Sequence, residues 1–149
     1  MTTEVIVLNG GSSSGKSTIA RHLQAILAEP WLATGVDTFV EMLPPALQTG
    51  DDGLEVSPSG QVLVGGTFRR LEAVWMRGVA AMARAGGRVI IDDVFLGGAS
   101  SQQRWRAALA GVEIVWVGVR CDADVASRRE LERPDRPEGM AAAQAELVH

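Results

Sequence analysis

Glu4-Val5-Ile6-Val7-Leu8-Asn9-Gly10-Gly11-Ser12-Ser13-Ser14-Gly15-Lys16-Ser17-Thr18 opens the chain and decides its fold. Glu4 to Asn9 reads as a short buried strand on its apolar, mostly β-branched run from Val5 to Leu8. Gly10 to Ser17 then satisfies G-x-x-x-x-G-K-[ST], the phosphate-binding P-loop. Glycines let the backbone close on an anion without Cβ clashes, and successive N–H groups then point inward at a phosphate. Lys16, the chain's single lysine beside thirteen arginines, adds a mobile charge at the β/γ-phosphates. The Ser17 hydroxyl is placed to ligate Mg²⁺. From Ser17 onward Ile19, Leu23, Ile26 and Leu27 recur at helical spacing. Strand, glycine loop and helix in this order aim the helix N-terminus at the phosphates, so residues 10–18 are the expected ATP-binding element. A dinucleotide-binding fold opens the same way, with Asp37 at a distance that suits a ribose acid. The loop contains no G-x-G-x-x-G, however, and that reading fails.

Length and composition bound the remainder. A chain of 149 residues is enough for one α/β core, expected here as a single kinase domain over 1–149. No apolar run approaches a membrane span, and no basic stretch followed by an apolar one marks a secretory signal. Cys121 is alone and cannot form an intrachain disulfide, which fits a reduced, cytoplasmic setting. The formal net charge of −4 and the absence of a lysine-rich patch argue against nucleic acid as the main partner. The expected partners are ATP and a small molecule. A homo-oligomer is compatible with the sequence.

Strand and helix patterns alternate along the rest of the chain. Trp31 to Val36 reads as a second strand entered through Pro30, and residues 37–66 as an irregular insert. Within it, Leu54-Glu55-Val56 and Gln61-Val62-Leu63-Val64 flank Ser57-Pro58-Ser59-Gly60 as a β-hairpin. Such an insert between α/β units covers a site rather than building the sheet. Phe68, Leu71, Trp75 and Val79 give a helix over 68–85 that stops at Gly86-Gly87. Arg88 to Asp92 is a third strand, 101–110 a short helix, Val112 to Val119 a fourth strand, and 122–131 another helix before a proline-broken basic segment. An Ala-rich helix runs to the end. The alternation predicts a three-layer α/β fold of the P-loop NTPase type, a parallel sheet with helices on both faces, similar to nucleoside monophosphate kinases.

Three further elements carry chemistry. Val89-Ile90-Ile91-Asp92-Asp93 places a carboxylate where a buried strand ends beside the P-loop, the arrangement in which an aspartate holds Mg²⁺ or its water shell. Asp92 is the better candidate, and Asp93 orients a water or the acceptor, or caps the segment after the strand. Asp37, just after the second strand, is at the same sheet edge, where ligands of open α/β sheets bind. Position alone leaves it equally open as the carboxylate that accepts an acceptor proton and as a turn cap. Pro134 and Pro137 remove Arg133 and Arg136 from a continuous helix and set them on a loop over 132–137, suited to a kinase lid that neutralises phosphoryl charge and excludes water. Trp31, Trp75, Trp105 and Trp116 read as packing residues, and His22 as ordinary. An aromatic substrate wall from Phe39 or Trp75 has no support in their spacing.

The chain resembles the chloramphenicol phosphotransferases, P-loop kinases of antibiotic-producing actinobacteria. The resemblance rests on Ile6 to Ser13, on Glu29-Pro30-Trp31-Leu32-Ala33 with Gly35-Val36-Asp37, on Ile90 to Gly98, on Trp116 to Asp122, and on Arg133 with Asp135-Arg136. It covers nearly the whole chain. It implies that Asp37 is the catalytic base, that Arg133 and Arg136 are the lid arginines, and that the acceptor is the primary hydroxyl of chloramphenicol, making the protein a resistance enzyme. Members of that family run past the position of His149 into a fifth strand and a final helix, with an adenine-holding loop after the strand. The expectation is therefore that the strand over 114–119 is left at the sheet edge, with nucleotide affinity and stability affected. Two readings compete: a P-loop kinase for another small hydroxylated metabolite, and a nucleotide-binding regulator without acceptor chemistry.

Overall fold

Successive residues of the first strand pack against opposite layers, Val5 and Val7 in one core and Ile6 and Leu8 in the other, and this sets the layers of the molecule. The computed structural model describes residues 2–59, 61–134 and 139–145. In it β1 (Val5–Asn9) passes through the glycine loop into α1 (Lys16–Ile26). Then come β2 (Trp31–Gly35), α2 (Val36–Met42), α3 (Pro45–Gln48), and a hairpin of β3 (Leu54–Val56) and β4 (Val62–Val64). The long α4 (Gly66–Arg84) leads to β5 (Arg88–Asp93) and α5 (Ala99–Ala108). β6 (Ile114–Gly118), α6 (Ala123–Leu131) and α7 (Met140–Ala145) complete the described chain.

The main sheet is parallel, in the order β2-β5-β1-β6. Val5, Val7, Val89 and Ile91 bury one face against Met76, Val79, Ala80 and Ala83 of α4 and Trp105 of α5. Leu8 and Ile90 bury the other against Ala20, Ile19 and Leu23 of α1. Each of these fully buried strand residues contributes about 1.5–3 kcal/mol of hydrophobic burial. The expected three-layer fold, with helices on both faces, is what forms. β6 is an edge strand of the sheet among the described residues, beside β1. No described helix is long and apolar enough to cross a membrane.

Two sequence expectations change. β2 ends at Gly35, and Val36 opens α2 instead of closing the strand. The reason is periodicity: Val36, Phe39, Val40 and Leu43 recur at helical spacing, and Phe39 and Leu43 are buried. The insert over 37–66 is also far from irregular, because Phe39, Leu43 and Phe68 form a small core of their own, with Leu47, Leu54 and Val64 packed on it. Asp52 fastens this insert to α4. Its carboxylate accepts the Thr67 backbone N–H at 3.1 Å and the Thr67 hydroxyl at 2.6 Å. The Gly65 cap has no side chain to supply such a bond, so a carboxylate from the insert satisfies the first turn instead. That hydroxyl holds the Asp52 carboxyl below its ordinary range. The hairpin itself forms as expected, with Val56 opposite Val62.

Candidate active site

The glycine loop has the backbone of an anion cradle. Ser13 and Gly15 take left-handed conformations (φ 59° and 101°), which turn successive N–H groups toward one point. Gly15 is also the N-cap of α1, so the helix dipole is aimed at the loop's interior. The Ser12, Ser13 and Ser14 hydroxyls are buried with no hydrogen-bond partner among the described residues. Three such groups at one loop are costly in an apolar setting and are satisfied by the oxygens of a phosphate. Lys16 is buried, donating from Nζ to the Gly11 carbonyl at 2.9 Å and lying 3.7 Å from Asp92 Oδ1. The Ser17 hydroxyl donates to Asp92 Oδ2 at 2.6 Å. Parallel pairing of β1 with β5 sets Leu8 beside Asp92, which brings that carboxylate to the loop.

One pocket is walled by Ser12 to Thr18 together with Asp37, Asp92 and Arg133. The sequence candidates Lys16, Ser17, Asp92, Asp37 and Arg133 therefore meet at one place. Gly10 and Gly11 lie outside that wall. A Cβ on Gly10 would stand 2.6 Å from the Val119 carbonyl, so close packing against the chain after β6 explains that glycine. Arg136 lies outside the described residues, as does the lid segment beyond Pro134. Asp37 is the second residue of α2, one past the strand-end position expected for it, and the N-cap is Gly35.

A second cavity adjoins the first and shares Val36, Asp37 and Val94 with it. It encloses about 780 Å³ of open space including its mouth. Val62 and Val64 of the hairpin, Phe68 and Met76 of α4, and Phe95 line its apolar walls. Phe39 and Trp75 stack behind that surface with ring centroids 5.2 Å apart. Asp93 also faces this cavity. Its Oδ1 accepts the Val94 N–H and its Oδ2 the Trp105 indole N–H, each at 2.7 Å. Although one edge of Asp93 reaches the cavity, removal from water dominates and pushes its carboxyl above the ordinary value, against the pull of both donors.

The sequence reading missed several residues here. Arg129 of α6 reaches over the glycine loop, with Nη1 3.5 Å from the Ser13 carbonyl and 3.8 Å from Cys121 Sγ. Gln144 of α7 accepts the Ser12 backbone N–H at 2.8 Å and lines the second cavity. Glu130 accepts the N–H groups of Gly139 and Ala141, which fixes the start of α7 beside the loop. Arg69, Glu72 and Arg104 bring charge into the apolar cavity. The Arg69–Glu72 pair shows in the sequence as a spacing of three on a helix, whereas the contacts of Arg129 with Ser13, Gln144 with Ser12 and Arg104 with Glu72 join residues far apart in the chain.

Comparison with known proteins bears on the family and the fold. The family model described as chloramphenicol phosphotransferase-like protein matches residues 3–149. The chain belongs to that family. A Mycobacterium tuberculosis protein named "Putative O-phosphotransferase" is 34% identical over 168 residues, covering 98% of this chain and 70% of that protein. Among solved structures, a chain of the Pnkp1/Rnl/Hen1 RNA repair complex superimposes with a TM-score of 0.72 at 20% identity. The match takes in 97% of this chain but only 43% of that one. Shikimate kinase from Acinetobacter baumannii in complex with shikimate superimposes with a TM-score of 0.58 at 20% identity, covering 98% and 74% of the two chains. Fold and kinship together make this member of the chloramphenicol phosphotransferase-like family a P-loop phosphotransferase.

Proposed function

We propose that residues 1–149 act as one kinase domain that transfers the γ-phosphoryl group of ATP to the primary hydroxyl of chloramphenicol. The observation that carries this reading is the position of Asp37, in the wall common to the phosphate pocket and the apolar cavity. A hydroxyl in the cavity and within reach of Asp37 faces the phosphate pocket. Asp37 accepts its proton as the oxygen attacks, a role worth about 10²–10⁴-fold in rate. Lys16 and the loop N–H groups hold the phosphates, and Arg133, with Arg136 from the lid, neutralises charge that redistributes on the transferred group. The apolar walls exclude competing water.

Magnesium suits the donor set. Among the described residues no cluster of three or more His, Cys, Asp or Glu side chains could hold a metal. Ser17 and Asp92 offer one hydroxyl and one carboxylate, the sparse oxygen set that Mg²⁺ completes with substrate phosphates and water. When bound, it supplies charge neutralisation on the polyphosphate.

The test is mass spectrometry of products from the full chain, MgATP and chloramphenicol, beside chloramphenicol acylated on its primary oxygen. Phosphate on the primary hydroxyl alone, with the acylated compound unreactive, is the expected result. Phosphate on the secondary hydroxyl overturns the Asp37 geometry, and no product from either compound overturns the acceptor.

A further inference from the structure

Two arginines, Arg69 and Arg104, and two carboxylates, Glu72 and Asp93, line the apolar cavity without lining the phosphate pocket, and both Asp93 oxygens are already taken by Val94 and Trp105. Glu72 of α4 is buried, and its Oε2 accepts Arg69 Nη1 at 2.8 Å and lies 3.7 Å from Arg104 Nε of α5. The Ser101 hydroxyl oxygen accepts Arg104 Nη2 at 3.1 Å. Each guanidinium is thus gripped by one part of its fork. Arg69 Nη2 and Arg104 Nη1 have no hydrogen-bond partner among the described residues, and the side chains stay 44% and 35% exposed. A bolt between α4 and α5 would need only Glu72 and Arg104. Arg69 is on the same helix as Glu72 and ties nothing together, yet it faces the cavity.

Apolar binding pockets fix a ligand's orientation with a few placed polar groups. A guanidinium presents a planar fork of donors matched to two coplanar oxygens, and it keeps its charge at every working pH. We propose that Arg69 and Arg104, held in place by Glu72 and Ser101, form a subsite for a planar two-oxygen group on the acceptor, a carboxylate or an aryl nitro group, away from the hydroxyl served by Asp37. This rests on reading the cavity as the acceptor site. The subsite then orients the acceptor from its far end, so it governs KM and acceptor choice more than the transfer step.

The test uses the full chain with Mg·ADP and three probes that differ at one position: 4-(hydroxymethyl)benzoate, 4-nitrobenzyl alcohol and benzyl alcohol. Titration is expected to show the carboxylate probe, or both oxygen-bearing probes, binding about tenfold tighter than benzyl alcohol, as charge-assisted pairing allows. Arg104→Gln and Arg69→Gln are expected to remove that preference while leaving benzyl alcohol binding unchanged. Preference for the carboxylate alone assigns anionic acceptors, and preference for both assigns nitroaromatics as well. Equal binding of all three by the unmodified chain overturns the proposal, whatever the variants do. In turnover, chloramphenicol is compared with its aryl-amine derivative, which lacks the two oxygens. Turnover of both with equal KM also overturns the subsite while the kinase reading stands. If chloramphenicol is not turned over but the probe preference and its loss in Arg104→Gln are seen, the acceptor falls and the subsite stands.

Discussion

Replacing Asp93 by asparagine tests whether the carboxylate beside Asp92 is there to react or to hold the wall. Its two oxygens each accept a donor at 2.7 Å, the Val94 backbone N–H and the Trp105 indole N–H. Asparagine keeps one acceptor and turns the other into a donor, so one N–H meets another. Trp105 is fully buried, and water cannot rescue its indole. Losing a hydrogen bond to a charged partner removes about 1.5–3 kcal/mol. Burial opposes this, since desolvation is the largest influence on Asp93 and raises its pKa above the ordinary 3.8. The neutral amide escapes that penalty, leaving a net loss of about 1–2 kcal/mol near neutral pH, or roughly 2–8 °C in Tm. The pH dependence carries the sign. Above 3.8 the unfolded chain has released this proton while the fold still holds it, so Asp93 makes stability fall as pH rises through its raised folded value. Asparagine removes that slope. The stability gap between parent and Asp93→Asn is therefore widest in acid and narrows as pH rises. Urea denaturation at stepped pH from about 4.5 to 8 measures it. A gap that widens with rising pH would show that the two donors stabilise the charge more than burial penalises it, and would refute the reasoning.

Other perturbations separate the roles proposed for the remaining residues. Lys16→Ala is expected to abolish ATP binding, whereas Asp37→Asn keeps it and lowers transfer by about 10²–10⁴-fold; nucleotide titration and single-turnover assays distinguish the two. Near-parental turnover of Asp37→Asn would return Asp37 to a purely structural role in α2. Arg133→Ala is expected to lower kcat far more than ADP affinity, because its charge is needed as the phosphoryl group moves, and equal losses in both would count against a lid role. Gly35→Ala puts a Cβ 2.4 Å from the Asp92 carbonyl and 3.1 Å from Asp92 Cβ, so β2 and β5 must part near the carboxylate proposed to hold Mg²⁺. It is expected to lower Tm and raise the Mg²⁺ concentration needed for half-maximal rate, and parental values for both would show that the edge yields without moving Asp92.

The elements built from local patterns are readable in the chain, and those built from distant pairings are not. Val5 to Lys16 announces strand, loop and helix because three adjacent signals agree. Val36 reads as strand because it is itself β-branched and closes the run from Trp31, while the helical spacing of Val36, Phe39, Val40 and Leu43 decides otherwise. The insert looks irregular in sequence because its order comes from Phe68 and Thr67 of α4, which supply the core contact and the bond to Asp52. Gln144 at the glycine loop shows the same limit, since its partner Ser12 is 132 residues away in sequence.

That division also explains why the residues that meet around the glycine loop could be anticipated and those lining the second cavity could not. The glycine loop follows β1, Asp92 is the penultimate residue of β5, and Asp37 lies two residues past β2, three strands that are neighbours in the sheet. Parallel strands put all their carboxyl ends at one edge, so a motif on one strand predicts where residues ending its neighbours will converge. No such rule governs the second cavity. Its walls come from a hairpin, the flanks of α4 and α5 and the segment after β5, brought together by packing that no single periodicity encodes. On the proposed reading, the phosphate side is set by the sheet's topology, whereas the acceptor side is set by side chains on elements that can change without disturbing the sheet. Arg69 and Arg104 belong to the second kind, so replacing them is expected to redirect the acceptor while leaving nucleotide binding as it was.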